Sequence, residues 1–289
     1  MKPPPFAYHS ATSIPEAIQL LSKLENAKLL AGGQSLMAML NLRYLHPENL
    51  VDINRIPELG GITIDQGRLR IGAMTRQQAI KASAEVKAAA PIFAETLAYV
   101  GHRQTRNRGT IGGSLCHLDP AAELPALALL HDAMVTVAGP RGERKIEMAA
   151  FIVDYMTTAV QADELVTLIE FPLWRAGHGY GFAEFARRHG DFAIAAVACL
   201  MESDSEGRMT RVAISVAGVA ATAIRLTAAE AALIGKVAGP EAFAAAAACC
   251  ADIAAVGDVH GSAEYRKKVA AVMLRRALTD AQSRMAKNG

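Results

Sequence analysis

Two short segments of this chain interrupt apolar runs with a pair of glycines. AGGQSL covers Ala31–Leu36, and IGGSL covers Ile111–Leu115. Because glycine has no Cβ and tolerates positive φ, such a pair lets successive N–H groups converge on an anion without steric hindrance. One Gly-Gly pair alone fits an ordinary tight turn, but two in one region favour a ligand that carries two phosphates. A fold that uses both pairs for one ligand has to bring them together.

Two common nucleotide-binding motifs are absent from the sequence. No G-x-G-x-x-G follows the first predicted strand, and no G-x-x-x-x-G-K-[ST] occurs. These motifs mark the Rossmann fold and the P-loop NTPases, so neither class is supported. The remaining solution is a pyrophosphate held by backbone N–H groups of two separate segments, with Ser35, Thr110 and Ser114 as neutral donors.

Composition indicates a folded protein without a strong charge bias. The 289 residues are 52% hydrophobic and carry a formal net charge of +2, with acidic and basic residues interspersed. This distribution gives no basic patch for nucleic acid. No apolar run reaches the roughly 18 residues that a membrane span needs, and the N-terminal residues lack a signal-like stretch, so we expect a cytoplasmic protein. The four cysteines neither form a disulfide framework nor have the spacing of iron–sulfur ligands.

Apolar periodicity divides the chain near residue 175. Ser13 is a predicted cap of a helix that runs to about Lys23, and the runs KLL and NLVDI are typical of buried strands separated by a short helix. A hairpin, several helical segments and two further strands follow, the last ending at Pro172. After GHGYGF, which we interpret as a linker, two antiparallel strands joined by SDSEG precede alanine-rich helices. The pattern predicts a two-domain α+β protein.

Four segments, in chain order, carry a specific resemblance. They are AGGQSLMAMLNLRYLHPENLVDI, RNRGTIGGSLCHLDPAAELPA, GDFAIAAVA and GSAEYRKKVAAVMLRRAL. Together they are similar to the FAD-binding medium subunit of molybdenum hydroxylases, the carbon monoxide dehydrogenase and xanthine dehydrogenase family. The resemblance implies an α+β fold in which an FAD-binding domain (1–175), made of two α/β subdomains (about 1–55 and 56–175), precedes a C-terminal domain (176–289) with a three-stranded antiparallel sheet and helices.

The resemblance also implies which residues contact FAD. The first glycine segment would surround the pyrophosphate, and the second would lie against the phosphates and the flavin end. The implied cofactor-binding residues are Leu29, Leu30, Ala31, Gly32, Gly33, Gln34, Ser35, Leu36, Thr110, Ile111, Gly112, Gly113, Ser114, Glu123, Val166 and Phe192. The carbon monoxide dehydrogenase branch has a tyrosine where this chain has Phe192, which keeps the ring contact and loses the hydroxyl. No residue is implied to be catalytic, and none to bind a metal.

Neighbouring polar residues have other readings. Arg103, Arg106 and Arg108 precede the second glycine segment, where they would attract a pyrophosphate or pair with a partner subunit. His117 and Asp119 lie beside Cys116, a position where the family usually has a small residue. They lack the companion ligands that a metal site would need.

The resemblance implies an oxidoreductase component rather than a complete enzyme. The chain would take electrons from iron–sulfur clusters of a small partner subunit and pass them to an external acceptor, while a large molybdenum-cofactor subunit oxidises the substrate. It implies no nucleic-acid partner and no membrane span, and it leaves peripheral membrane association of the complex open. Two alternatives stay open as well. One is a free-standing flavoenzyme with Glu123, Asp191 or His117 as its acid or base, and the other is a flavin-free assembly module.

Overall fold

The N-terminal residues form a small parallel sheet. The computed structural model describes residues 2–285. Within that range the first sheet has the strand order β1-β3-β2, with both pairs parallel. Its elements are β1 (Ala7–Ser10), α1 (Ile14–Lys23), β2 (Ala27–Leu30), α2 (Leu36–Asn41) and β3 (Asn49–Asp52).

The start of α1 follows from its sequence. The Ser13 side chain accepts a hydrogen bond from the Glu16 N–H (3.3 Å), and a proline lies in the first turn, as the sequence predicts. Ala17 and Leu21 point to the core on one side of the helix. The first glycine segment lies between β2 and α2, so the parallel sheet presents it at the end of a strand.

A second, antiparallel sheet has the order β4-β5-β10-β6-β7 within the described residues. The sheet of the first expected subdomain is therefore parallel, whereas the sheet of the second is antiparallel. The elements of this region are β4 (Ile62–Asp65), β5 (Arg68–Gly72), α3 (Gln77–Ala82), α4 (Ala84–Ala89), α5 (Ile92–Thr96), α6 (Arg103–Arg108), α7 (Ile111–His117), α8 (Glu123–Leu130), β6 (Met134–Gly139), β7 (Gly142–Glu147), α9 (Met148–Phe151), β8 (Ile152–Asp154), β9 (Thr157–Thr158) and β10 (Leu165–Pro172).

The C-terminal part is an antiparallel sheet covered by helices. Its elements are β11 (Gly179–Phe185), β12 (Ala195–Ser203), β13 (Met209–Ala217), β14 (Ile224–Arg225), α10 (Thr227–Leu233), α11 (Pro240–Ala248) and α12 (Ala263–Arg284). The sheet has four strands among the described residues, not the expected three, because the two residues of β14 pair with Ser215 and Val216. The overall class is α+β, as predicted.

Within GHGYGF, Gly177 and His178 lie in the connection after β10, and the other four residues, Gly179–Phe182, are the start of β11 and not a linker. A Cβ on Gly179 or Gly181 would overlap the carbonyl oxygens of Ala281 and Ala277 in α12. The two glycines therefore allow the long C-terminal helix to lie directly on this strand. The glycine-rich composition that suggested flexibility reflects close packing instead.

Strand β12 is apolar on both faces because each face enters a different core. Ala196, Ala198 and Leu200 belong to the cluster shared with the antiparallel sheet of the N-terminal region. Their neighbours Val197 and Cys199 belong to the cluster under α12. A strand buried on both sides reads as a continuous apolar run, which explains the AAVACLM part of this segment, Ala195–Met201.

Candidate cofactor site

A cavity of about 930 Å³ lies where the N-terminal and C-terminal regions meet. This volume falls within the roughly 300–1,000 Å³ of typical small-molecule and cofactor sites. Its wall includes residues from the segments 27–36, 109–123, 156–166 and 187–194. The structure places fourteen of the predicted site residues in this wall: Leu29, Ala31, Gly32, Gly33, Gln34, Ser35, Leu36, Thr110, Gly112, Gly113, Ser114, Glu123, Val166 and Phe192.

Two predicted residues lie outside the wall. Leu30 is the last residue of β2, and Ile111 is fully buried in the apolar core. Leu30 directly precedes the first glycine segment, and Ile111 is the first residue of the second. Their packing holds the adjacent backbone in place.

The first glycine segment presents a run of unused backbone donors. Within residues 2–285, the N–H groups of the five residues 32–36 donate to no other group of the chain. Gly33 has φ +70°, a left-handed conformation that glycine adopts without steric cost. Successive N–H groups around such a residue form a concave site for an anion. The Gln34 side chain supports the turn by donating from Nε2 to the Gly32 carbonyl (3.2 Å).

The second glycine segment forms the first turn of helix α7. Thr110 caps α7, and its Oγ1 accepts from the Gly113 N–H (3.1 Å). The N–H groups of Ile111 and Gly112 donate to the carbonyls of Thr75 (3.2 Å) and Ala73 (2.8 Å). Because these three N–H groups donate within the chain, they do not converge on a bound phosphate as the sequence predicts for this segment. The Ser114 hydroxyl has no hydrogen-bond partner within residues 2–285 and lines the cavity.

The glycines explain how the two segments approach each other. A Cβ on Gly32 would overlap the carbonyl oxygen of Arg108, and one on Gly112 would lie 2.8 Å from the Ala73 carbonyl oxygen. Gly113 has no positive φ. Gly32 and Gly112 are therefore required by contacts between backbone segments, and only Gly33 is required by its own backbone conformation.

A polar network that the sequence did not reveal links the two segments. Asn54 donates from Nδ2 to the Ala31 carbonyl (2.9 Å), and its Oδ1 accepts from Arg76 Nη2 (2.6 Å). Arg76 Nη1 donates to the Arg108 carbonyl. These contacts connect positions more than twenty residues apart, so no local motif could have indicated them.

The three arginines before the second segment do not line the cavity. Arg106 is buried, and its Nη1 donates to the carbonyls of Val100 (2.9 Å) and Gly101 (3.0 Å). It holds the entry to α6. Arg103 and Arg108 likewise lie outside the wall.

Titratable groups gather at another part of the wall. Burial raises the pKa of Glu123 to about 8, and the nearby Glu184 and Asp119 add to the effect. Burial also raises the pKa of Glu184 to about 7. The pKa of His117 is lowered by burial, an effect that Asp119 partly offsets. Cys116 is exposed and also lines the cavity.

Phe192 is 72% exposed although it lines a cavity. An aromatic face in this position is available to stack against a planar ring. Val166, by contrast, is buried in β10 at a point where the pairing with β6 shifts register. Sequence reasoning missed several wall residues for which no local signal exists: Lys28, Met156, Thr158, Val160, Gln161, Ala162, Glu164, Arg187, Gly190 and His260.

These features fit a dinucleotide that carries a planar ring. Unused amides suit an anionic pyrophosphate, an exposed aromatic face suits a ring, and the cavity joins both. Within residues 2–285, no three or more His, Cys, Asp and Glu side chains are arranged to hold a metal ion. Over the same range, the helices are too short or too polar to cross a bilayer.

Comparison with known proteins identifies the family. Residues 4–174 match the model "FAD binding domain in molybdopterin dehydrogenase", and residues 180–281 match the "CO dehydrogenase flavoprotein C-terminal domain". The chain is 42% identical over 286 residues to the 6-hydroxypseudooxynicotine dehydrogenase complex subunit alpha of Paenarthrobacter nicotinovorans, covering 98% of this chain and 97% of that one. It is 38% identical over 288 residues to the carbon monoxide dehydrogenase medium chain of Hydrogenophaga pseudoflava, covering 99% and 100%.

Solved structures agree with the sequence matches. A structure of the Hydrogenophaga pseudoflava carbon monoxide dehydrogenase that lacks the Mo-pyranopterin moiety contains a chain with a TM-score of 0.96 and 40% identity, covering 99% of this chain and 100% of that one. Quinoline 2-oxidoreductase from Pseudomonas putida 86 contains a chain with a TM-score of 0.94 and 33% identity, covering 99% and 100%. The chain belongs to the FAD-binding medium subunits of the carbon monoxide dehydrogenase and xanthine dehydrogenase family of molybdenum hydroxylases.

Proposed function

We propose that the cavity of this subunit holds FAD at the residues the sequence predicts, with the pyrophosphate on the first glycine segment. The observation that carries this proposal is the run of five unused N–H groups at 32–36. These N–H groups lie in the cavity wall and have no partner within residues 2–285, so the segment is suited to an anionic ligand.

The remaining predicted residues contact or support different parts of the cofactor. The Ser114 hydroxyl and the wall beside Thr110 face the phosphates, while Phe192 offers an aromatic face to the flavin ring. The buried carboxyl of Glu123, with its raised pKa, is a hydrogen-bond donor at neutral pH. Leu30 and Ile111 support the glycine segments from behind.

Bound FAD supplies one- and two-electron transfer, which links single-electron donors to an external acceptor. This chain contributes position, exclusion of water and electrostatics. No side chain is needed as a general base toward the organic substrate, because that oxidation takes place on another polypeptide. The relatives named subunit or medium chain favour this role over a free-standing flavoenzyme.

We further propose the wider setting of the subunit. Its partners are a small iron–sulfur subunit and a large molybdenum-cofactor subunit, in a cytoplasmic complex. The chain divides into an FAD-binding domain at 1–175, with subdomains at about 1–55 and 56–175, and a C-terminal domain at 176–289. The family models, which match 4–174 and 180–281, support this division.

Two glycines with the same backbone conformation provide a matched test. Gly33 and Gly67 both have φ +70°, but Gly67 lies in the β4–β5 hairpin with nothing within 4 Å of an added Cβ. Each change to alanine should cost about 1 kcal/mol of stability through backbone strain. Only Gly33→Ala should also lower FAD content, because it disturbs the anion-binding amides.

The measurements are the FAD content of the purified complex and the mass of the released cofactor, alongside a thermal midpoint. We expect FAD and not FMN in the wild type and in Gly67→Ala, with strongly reduced FAD in Gly33→Ala. Equal flavin occupancy in both variants would show that this segment is only a turn. A wild-type complex without flavin would support the assembly-module alternative.

A further inference from the structure

One buried arginine of the C-terminal helix connects three separate segments. Arg266 of α12 is 6% exposed. Its Nη1 donates to the carbonyl oxygen of Ile194 (2.9 Å) and to that of Gly218. Its Nη2 donates to Asp258 Oδ1 (2.6 Å).

The first of these segments belongs directly to the cavity wall. Ile194 and Phe192 both line the cavity, and the Ile194 carbonyl is the acceptor for Arg266. The Ile194 N–H in turn donates to the Phe185 carbonyl (2.8 Å). The backbone that carries Phe192 is therefore fixed on its C-terminal side by a strand contact and by the guanidinium.

The segment around Asp258 places a histidine at the same cavity wall. Asp258 Oδ1 accepts not only from Arg266 but also from the N–H groups of His260 (2.8 Å) and Gly261 (3.2 Å). His260 lines the cavity. Because one carboxylate oxygen receives all three donors, Arg266 and the His260 turn share a single anchor.

The segment around Gly218 lies next to the part of the wall that contains Asp119 and Glu123. Gly218 donates its N–H to the Pro120 carbonyl (2.8 Å), between Asp119 and Glu123. Gly218 has φ +78°, and an added Cβ would lie 2.6 Å from the Ala193 carbonyl oxygen. The Gly218 carbonyl that Arg266 contacts therefore lies between the Phe192 segment and the Pro120 turn.

The chemistry of this contact is unusual for simple stabilisation. A buried guanidinium is costly unless it is paired, and the only carboxylate it contacts within residues 2–285, that of Asp258, is 47% exposed. Arg266 Nε has no partner in the same range. Two of its acceptors are neutral carbonyls. The planar guanidinium therefore fixes the relative positions of the segments it contacts more than it has its own charge neutralised.

We propose that Arg266 is a positioning residue for the flavin: it holds Phe192, Ile194 and His260 as one rigid wall of the cofactor cavity. The inference rests on the proposed FAD site. It adds that the C-terminal helix sets the environment of the cofactor without contacting it.

Arg225 is a matched control for this role. It is another largely buried arginine of the C-terminal part, and it contacts Glu230 (2.8 Å), Asp132 (2.6 Å) and the Leu129 carbonyl (3.1 Å). Arg225 and its three partners all lie outside the cavity wall. Loss of its contacts should affect stability alone.

The test compares Arg266→Lys and Arg225→Lys in the assembled complex. Lysine keeps the charge but cannot donate in a planar fork to carbonyls and a carboxylate together. For Arg266→Lys we expect FAD release to be about 10-fold faster, as the loss of charged hydrogen bonds to the wall implies, and a shifted flavin midpoint potential. Hydrogen exchange should also rise in 192–194 and 258–261. Arg225→Lys should leave both flavin measurements at wild-type values.

Asp258→Asn covers the case in which Arg266→Lys fails to assemble. It retains the contacts of Nη1 with the two carbonyls and weakens the His260 turn, so it should shift the potential by a smaller amount. The proposal would be overturned if Arg266→Lys and Asp258→Asn matched Arg225→Lys in FAD release and midpoint potential and showed only a lowered thermal midpoint. A wild-type complex without FAD would instead refute the proposed function.

Discussion

Glu123 shows how the fold changes the chemistry of a single side chain. Its carboxyl group lies in the cavity wall, 9% exposed, and burial raises its pKa from 4.5 to about 8. Glu184 is the largest electrostatic contribution to this shift, and its own pKa is raised to about 7. Near neutral pH the folded chain therefore holds a proton on Glu123 that the unfolded chain has lost.

The sign of the resulting pH dependence follows from proton linkage. Between pH 4.5 and about 8 the folded state binds more protons at Glu123 than the unfolded state, so this residue makes stability fall as pH rises. Glu123→Gln removes that dependence. In the flavin-free chain, the free energy of unfolding of the variant minus that of the wild type should rise across this window and become flat above it. Urea titrations at several pH values measure it, and a flat difference would contradict the raised pKa.

The glycines show that one residue type can serve two purposes within a single site. Gly33 provides a left-handed backbone, and Gly32 and Gly112 permit close contacts between segments. Gly113 has an ordinary helical position in which an added Cβ would lie 2.8 Å from the Thr110 hydroxyl oxygen. Gly113 does not have the positive φ that a glycine in a turn often adopts, because the pair begins a helix.

At the scale of elements, helix α7 depends on its cap. Thr110 Oγ1 satisfies the Gly113 N–H, and Thr110 also lines the cavity. Ser83 has the equivalent capping role in α4, where its hydroxyl accepts from the Val86 N–H (3.2 Å), but it lies outside the cavity wall. The two caps therefore separate the contribution to stability from the contribution to the site.

Thr110→Ala and Ser83→Ala should each destabilise the chain by about 1 kcal/mol, the usual value of an N-cap hydroxyl. Only Thr110→Ala should also weaken FAD binding, because it removes the cap from the first turn of α7, which lines the proposed FAD cavity. Chemical denaturation and FAD titration of the same samples measure both effects. Thr110→Ser should keep both stability and FAD affinity near their wild-type values. Equal FAD affinity in the two alanine variants would limit Thr110 to a capping role.

Strand β12 joins elements that the sequence treats as separate. Its alternate residues enter two different apolar clusters, one shared with the N-terminal region and one under α12. Polar ties add to this junction: Arg284 of α12 contacts Glu95, and Arg225 contacts Asp132. These pairs are partly exposed, so the apolar contacts contribute most of the stabilisation.

For the whole molecule, the shared cluster predicts cooperative unfolding. It combines residues from Leu69 to Trp174 with Phe182, Ala198 and Leu200 of the C-terminal sheet, so neither part can unfold without exposing the core of the other. The flavin-free chain should show one thermal transition with equal calorimetric and van't Hoff enthalpies. Leu200→Ala, which removes a fully buried side chain from this cluster, should lower that transition as a whole. Two resolved transitions would show that the parts are energetically independent.

The sequence by itself determined the α+β class, the cap of α1, the position of several strands such as β2, β3, β12 and β13, and the two glycine segments. Each of these depends on neighbours within a few residues, such as the Ser13 hydroxyl and the Glu16 N–H. Apolar periodicity and glycine chemistry act at that range, and the resemblance to one family extended them to a list of site residues.

Only the tertiary structure decided what each segment does. The second glycine pair begins a helix, and residues Gly179–Phe182 of GHGYGF begin a strand that packs on α12. Arg187 and His260 line the same cavity. Arg266 contacts Ile194 and Gly218 across 72 and 48 residues of chain. Such contacts depend on how sheets and helices stack, and the local pattern of a sequence carries no signal for them.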